Sequence, residues 1–282
     1  MKLLITGGGG MLASDLADYY STKKAVEIIA PTHAQLDVLD TRQVREMVAQ
    51  TKPDVIVHTA AYHVNDCEDN PQMAYRLNAW AVQQLGKIAQ EYHATLVYIS
   101  TCGLFGDEIR PYSEYDPVHI KTEYAKSKYA GEGLAKQFCD RLFIIRPGWL
   151  FGGSIAHKKN FVYQRYLEAQ AKPMLQSAGD KYGSPTYTFD LAEKIDQLLE
   201  TKNYGLYHVT NQGGVSRAGY IQKIIEACGL SCRVEPVDSS HFPRKANVPD
   251  CEILHNWNLT YAGLSLLPSW EEAIERYVKK IL

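Results

Sequence analysis

Short apolar runs alternating with amphipathic stretches restrict the fold of this chain more than any other feature of its sequence. Residues 2–6 form an apolar run that halts at consecutive glycines, Gly7 to Gly10. Residues 11–20 then carry Leu12, Leu16 and the pair Tyr19-Tyr20 at helical spacing. A second run over 26–30 precedes a helix over 41–50, with Val44, Met47 and Val48 on one side and Asp40 placed to cap it. After a run over 54–58, Asn70-Pro71 opens a long helix, with Ala74, Leu77, Ala81, Leu85 and Ile88 along one face. Runs over 95–100 and 142–146 flank a helix over 123–138. Strands apolar at nearly every position are buried on both faces, as in a parallel sheet covered by helices on either side. The alternation predicts an α/β fold with a doubly wound parallel sheet.

Beyond Gly152-Gly153 the texture changes to shorter, Gly- and Pro-punctuated pieces. Residues 205–210 still read as a strand able to rejoin the first sheet. At the end, Ser269 and Glu272 form a capping box before an apolar stripe of Trp270, Ile274, Tyr277, Val278 and Ile281. The expected division is a dinucleotide-binding domain over 1–152 plus about 184–212. A smaller, interleaved carboxyl-terminal substrate-binding domain takes 153–183 plus 213–282.

Composition narrows the function classes. A formal net charge of -2 offers no electrostatic footprint for nucleic acid or an anionic membrane. No stretch approaches the ~18 consecutive apolar residues of a membrane span, and the amino terminus runs into glycines before a signal-peptide core could form. The six cysteines include no Cys-x-x-Cys pair, which fits reduced thiols of a cytoplasmic protein. The nine histidines fall into no metal-ligand spacing, so no metal is expected, and His58 in its apolar run reads as a core histidine.

The glycine turn sits where the first strand meets the first helix, the position of a Rossmann-type phosphate loop. Read as G-x-x-G-x-x-[GA], it places Gly7 at the tight turn, Gly10 at the close approach of a pyrophosphate and Ala13 at the helix–strand contact. Free N–H groups of Met11 and Leu12 at the helix start would face the phosphates. The second strand ends Ala30-Pro31-Thr32-His33, without the acid that usually meets the ribose 2′-hydroxyl of NAD. NADP(H) is therefore the preferred cofactor, with NAD(H) the other candidate. Asp37 and Val38 follow as adenine-side residues, with a loop or cap role for Asp37 as the alternative.

Tyr124 and Lys128, in Tyr124-Ala125-Lys126-Ser127-Lys128, stand one turn apart on a helix face. A reductase needs a proton donor for the alkoxide formed when hydride adds to a ketone. A lysine ammonium beside a tyrosine draws the phenol toward that task and can reach the cofactor ribose. The run over 95–100 ends in Ser100-Thr101, placing a hydroxyl at the carboxyl edge of the sheet, where open α/β sheets bind ligands.

A glycine turn, a Ser/Thr strand end and Tyr-x-x-x-Lys, in this order and spacing, match the extended short-chain dehydrogenase/reductases. Within them the chain resembles the dTDP-4-dehydrorhamnose reductases nearly end to end. The likeness is carried by Leu36-Asp37-Val38, Ala60-Ala61-Tyr62, Arg76-Leu77-Asn78-Ala79 and Tyr124 to Glu132. It continues through Arg146 to Gly152, Asn160-Phe161 and Gly183 to Ala192. The resemblance implies Thr101, Tyr124 and Lys128 as the catalytic set, with Ala60, Ala61 and Tyr62 near the nicotinamide and Asn78 on a helix beside it. It also implies Trp149 packing on the sugar nucleotide and Asn160 near its phosphates. Departures fall on the substrate side. The family usually follows its Ser-Thr with Asp-Tyr-Val-Phe, where this chain has Cys102-Gly103-Leu104-Phe105, so Cys102 and Gly103 become the substrate-wall residues. Arg146-Pro147-Gly148-Trp149 replaces a more polar Arg-Thr-Ser-Trp, and the loop from Tyr62 to Asp66 is one residue shorter. With no neighbouring histidine or cationic run, Cys102 reads as a pocket-lining thiol and not a nucleophile.

The expected activity is NAD(P)H-dependent reduction of a 4-keto group on a nucleotide-linked deoxysugar. Tyr124 would act as acid, Lys128 would tune Tyr124 and hold the ribose, and Thr101 would bond the carbonyl. The alternatives are a sugar-nucleotide epimerase and an NADP-binding regulatory subunit. The expected partner is a nucleotide sugar, with a homodimer left open.

Overall fold

The computed structural model describes residues 1–23 and 25–282. Its central sheet is built from β1 (Lys2–Thr6), β2 (Glu27–Ile29), β3 (Val55–His58), β4 (Thr95–Ile99) and β5 (Leu142–Arg146). The chain then leaves through β6 (Trp149–Phe151), β7 (Met174–Ala178), β8 (Tyr182–Gly183) and β9 (Pro185–Tyr187) before β10 (Gly205–His208). It ends with β11 (Val215–Ser216), β12 (Arg233–Val237) and β13 (Cys251–Glu252). The large sheet has the order β10-β5-β4-β3-β1-β2 and every neighbouring pair is parallel. The strand order reverses between β1 and β3, which creates a switch point at their carboxyl ends. Thr6 of β1 is in register with His58 of β3 there.

The helices are α1 (Met11–Ser21), α2 (Thr41–Thr51), α3 (Val64–Asp69), α4 (Pro71–Tyr75), α5 (Ala81–Glu91), α6 (Glu123–Phe138), α7 (Phe161–Ala171), α8 (Thr188–Thr201), α9 (Arg217–Ala227), α10 (Trp257–Tyr261) and α11 (Trp270–Ile281). A π-helical turn over Arg76–Trp80 joins α4 to α5, so the long helix expected after Pro71 has an extra residue in one turn. Such turns commonly re-aim a side chain at a functional site, and this one contains Asn78.

Alternation along the strands separates two cores. Leu3 and Ile5, Val55 and Val57, Val97 and Ile99, and Phe143 and Ile145 pack with α1 and α8 on one face. Leu4, Ile56, Leu96 and Tyr98, and Leu142 and Ile144 pack with α2, α5 and α6 on the other. Burying each such large side chain contributes about 1.5–3 kcal/mol. The sheet is thus apolar on both faces, as its uninterrupted runs require.

As the sequence suggested, β10 rejoins the first sheet, where it pairs with β5, and α8 before it packs on the same sheet. Leu259 and Leu267, beyond residue 213, also enter the α1–α8 core, so the later segment is anchored in both parts. The stripe of α11 packs with Phe151, Val162, Tyr187 and Tyr220 in a third core. A fourth joins the segment after β4 to β13 through Cys102, Leu104, Phe105, Cys251 and Leu254. Among the described residues, no helix is long and apolar enough to cross a membrane.

Candidate active site

The cofactor side is built by the glycine turn at the switch point. Gly7 has φ +76°, and a Cβ there would stand 3.0 Å from the Ala60 nitrogen, so β1 and β3 close together only over a glycine. A Cβ on Gly8 would lie 2.2 Å from the Ala30 carbonyl oxygen, while the Gly8 N–H donates to the Pro31 carbonyl at 2.9 Å. Gly8 is therefore a second obligatory glycine, which the motif reading did not single out. Gly9 and Gly10 face outward, and α1 begins at Gly10 without a side-chain cap among the described residues. An uncapped helix N-terminus over an open glycine cradle is a fit for a dinucleotide pyrophosphate. Met11 and Leu12 can serve it only through their backbone N–H groups, because the Leu12 side chain is in the core.

Ala60, Ala61 and Tyr62 follow β3 at the same sheet edge and are half-buried. Asn78 is fully buried behind them. Its Oδ1 accepts from the Tyr62 N–H at 2.9 Å and its Nδ2 donates to Ser127 Oγ at 3.0 Å. This corrects its assignment as a direct cofactor contact: its polar atoms are committed to Tyr62 and α6, and it shapes the site through them. Asp37 takes the loop role, its Oδ1 accepting from the Leu39 N–H at 2.9 Å, and Val38 is buried.

Thr122, two residues before Tyr124, caps α6 by accepting from the Ala125 N–H. Tyr124 and Thr101 line one cleft, and the Thr101 Oγ1 accepts from the Gly103 N–H at 3.1 Å. Burial holds the Tyr124 phenol well above its ordinary pKa, Cys102 and Glu252 add to that, and the nearby Thr101 hydroxyl opposes it. Lys128 is buried, with Nζ donating to the Ile99 carbonyl at 2.6 Å and lying 4.2 Å from the Tyr98 ring centre. Burial lowers its ammonium to about 7, against an opposing pull from Glu132. The expected tuning of Tyr124 by Lys128 is therefore not the arrangement seen here. One of the three ammonium N–H groups goes to a strand carbonyl, which leaves donors for a ribose, and among the neighbours of the phenol it is Thr101 that favours phenolate.

The substrate cleft has a volume of about 1060 Å³ and extends from Thr101, Cys102, Gly103 and Tyr124 toward Trp149, Arg217 and Glu252. Cys102 is buried, and burial together with nearby Glu252 raises its thiol far above the ordinary range, as suits a wall residue. Trp149 lines the cleft, but the Arg217 guanidinium covers its ring at 3.4 Å from the centre. A Cβ on Gly183 would lie 2.2 Å from the indole. Much of the indole surface expected to receive the sugar nucleotide is thus already covered, and Arg217 presents itself in its place. Trp149 Nε1 donates to Glu252 Oε2 at 2.7 Å. Burial lowers Arg217 to about 10, with Glu252 opposing, so it stays cationic at neutral pH.

Asn160 does not belong to the cleft. It is buried at the start of α7, where Oδ1 accepts from the Tyr163 N–H and Nδ2 donates to the Ser154 carbonyl and to the Tyr277 hydroxyl. With every polar atom used by its own chain, it is a helix cap and a link to α11, not a phosphate ligand. Arg217 and Glu252 are the cleft residues that sequence reasoning missed. Glu252 comes from a two-residue strand and Arg217 from the first position of α9, and neither place carries a local signal for a cleft residue.

A parallel sheet in this order, a glycine cradle at its switch point, and Thr101, Tyr124 and Lys128 at its carboxyl edge define a nucleotide-binding oxidoreductase of the short-chain dehydrogenase/reductase class. The chain belongs to the RmlD substrate binding domain family, whose profile matches residues 1–282. It is similar to the spore coat polysaccharide biosynthesis protein SpsK of Bacillus subtilis, 33% identical over 281 residues, covering 99% of this chain and 97% of that protein. A dTDP-4-dehydrorhamnose reductase of Mycobacterium tuberculosis is 32% identical, covering 97% of this chain and 91% of the relative. The crystal structure of dTDP-4-dehydrorhamnose reductase from Bacillus anthracis in complex with NADP matches with a TM-score of 0.93 at 32% identity, covering 99% of each chain.

Proposed function

We propose that this chain reduces the 4-keto group of a dTDP-linked deoxysugar, of the dTDP-4-dehydrorhamnose kind, at the expense of NADPH. Residues 1–152 and about 184–212 carry the cofactor, and 153–183 with 213–282 hold most of the sugar nucleotide. The observation that supports this most directly is that Thr101 and Tyr124 line one large cleft at the carboxyl edge of the sheet that carries the glycine cradle. The reductases named among its relatives point to the same chemistry.

Gly7 to Leu12 would hold the pyrophosphate through backbone N–H groups, and Ala60, Ala61, Tyr62 and Lys128 the nicotinamide end. The bound cofactor supplies the hydride. Thr101 orients the carbonyl oxygen by hydrogen bonding. Tyr124, protonated at neutral pH as a phenol ordinarily is, gives its proton to that oxygen as negative charge develops. NADPH is the expected reductant over NADH, since no carboxylate stands at the Thr32-His33 end of the second strand. Six free cysteines accord with work in the cytoplasm.

The test is steady-state NADPH oxidation with dTDP-4-dehydrorhamnose, followed by absorbance. Turnover with formation of the dTDP-6-deoxyhexose is expected. Tight NADPH binding with no oxidation, across a panel of 4-keto sugar nucleotides, would overturn the reading.

A further inference from the structure

We propose that Glu252 is the specificity-determining acceptor for the ring hydroxyls of the sugar, delivered to the cleft from β13 and held there by Trp149. The inference rests on the reductase reading above and deepens it, naming the residue that selects the sugar.

The geometry begins at the end of β4. Cys102 and Gly103 leave the wall beside Thr101 without a charged or phenolic side chain, but the space is filled from elsewhere. The Cys102 thiol donates to Glu252 Oε1 at 3.6 Å. A Cβ on Gly103 would stand 3.1 Å from the same oxygen. Any larger residue at 103 would press on the carboxylate, so the small pair and the glutamate occupy one space between them.

Two further contacts fix Glu252. The pairing of β13 with β8 sets it opposite Gly183, whose lack of a side chain admits the Trp149 indole. Trp149 Nε1 then holds Oε2 at 2.7 Å, and Arg217 lies across the indole. Glu252 remains half-buried and lines the cleft with Thr101 and Tyr124. An ionised carboxylate has about four lone-pair sites, and two weak or single donors leave capacity for more. A carboxylate held firmly on Oε2, only weakly by a thiol on Oε1, and open to a cleft beside the proton donor is suited to sugar hydroxyls, which need strong acceptors once removed from water.

The experiment compares full-length wild type with Glu252→Ala and Glu252→Gln, using calorimetric binding of dTDP-rhamnose and dTDP, and of UDP-rhamnose and UDP, with NADP present. In the series that binds, wild type should favour the sugar nucleotide over the bare nucleotide. Both variants should lose about tenfold of that sugar increment, with nucleotide and NADPH affinities within twofold of wild type. Gly103→Tyr should damage sugar binding in wild type and be tolerated in Glu252→Ala, because the two residues compete for one space. An unchanged increment in both Glu252 variants overturns the proposal. So does a wild type that shows no increment in either series. If wild type fails to oxidise NADPH while the increment depends on Glu252, the reductase reading fails and this one stands.

Discussion

Asn78 Nδ2 donates to Ser127 Oγ at 3.0 Å, which ties the π-helical turn to the middle of the Tyr-x-x-x-Lys segment. The other end of the same amide accepts from the Tyr62 N–H. One buried side chain therefore sets the spacing between the loop after β3 and the helix that carries Tyr124 and Lys128. Asn78→Ala would leave the Tyr62 N–H without its acceptor, at about 1–3 kcal/mol. The expected outcome is a lower Tm together with a KM for NADPH raised about tenfold, and a smaller fall in kcat. A lowered Tm with an unchanged NADPH KM would reduce Asn78 to a packing residue.

Below that level lies an ion pair that seats α6 on the sheet. Glu132 accepts from Arg146 Nε at 2.8 Å and Nη2 at 2.7 Å, and its Oε1 also takes the Ser100 hydroxyl at 2.5 Å. All three residues are buried. Removing one partner strands a charge, which costs about 3–5 kcal/mol, whereas replacing both by apolar groups is often neutral. Glu132→Gln should lower Tm by more than about 6 °C at the ~2–4 °C per kcal/mol typical of larger domains. Glu132→Leu combined with Arg146→Met should recover most of that loss. Equal Tm values for the single and double variants would show that the cost is not the stranded guanidinium.

Lys128 gives the cofactor-free protein a pH dependence with a definite sign. Its folded pKa is about 7, below an ordinary lysine at 10.5, because burial disfavours the ammonium. Between those values the unfolded chain binds more protons than the folded one, so stability from this group rises with pH. Below about 7 the lysine is charged in both states and the penalty is present in full. Lys128→Met removes it. The Tm of the variant relative to wild type should be most favourable at pH 7 and below, and decline toward pH 9.5. Calorimetric scans without cofactor at several pH values test this, and a constant difference would mean that the buried ammonium carries no such penalty.

The central sheet was legible because each strand is apolar on both faces and stops at a turn residue, which only a covered parallel sheet requires. The placement of Thr101 after β4 and of Tyr124 and Lys128 on α6 was legible because it follows from a strand end and from helical spacing. Asn160 was misjudged for a reason visible in the sequence. An asparagine directly before Phe161 and an amphipathic run is a helix cap first, and the structure uses it so. Glu252 was hidden because a two-residue strand has no period, and Arg217 because it is the first residue of α9, where helical spacing does not say which way a side chain turns. Glu252 meets Trp149 across a separation of 103 residues, and only the pairing of β13 with β8 brings it there. Lys128 shows the remaining limit: spacing put it beside Tyr124, but the carbonyl of Ile99 decided what its ammonium does.

Tyr124 is the residue on which the proposed chemistry turns. Its phenol lines the substrate cleft with Thr101, whereas the cradle that would receive the pyrophosphate is built by other residues. Tyr124→Phe keeps the ring, its packing and the helix, and removes one hydroxyl. Loss of a positioned acid typically removes ~10²–10⁴-fold of rate, while the NADPH contacts expected from Gly7 to Leu12 and from Lys128 are untouched. Single-turnover reduction should therefore fall by at least ~10²-fold, with the dissociation constant for NADPH within about twofold of wild type by nicotinamide fluorescence. Thr101→Val should reduce the rate less, since it removes the partner that favours phenolate but leaves the donor. A Tyr124→Phe variant that turns over like wild type would show that the proton comes from elsewhere and that the site has been read on the wrong residue.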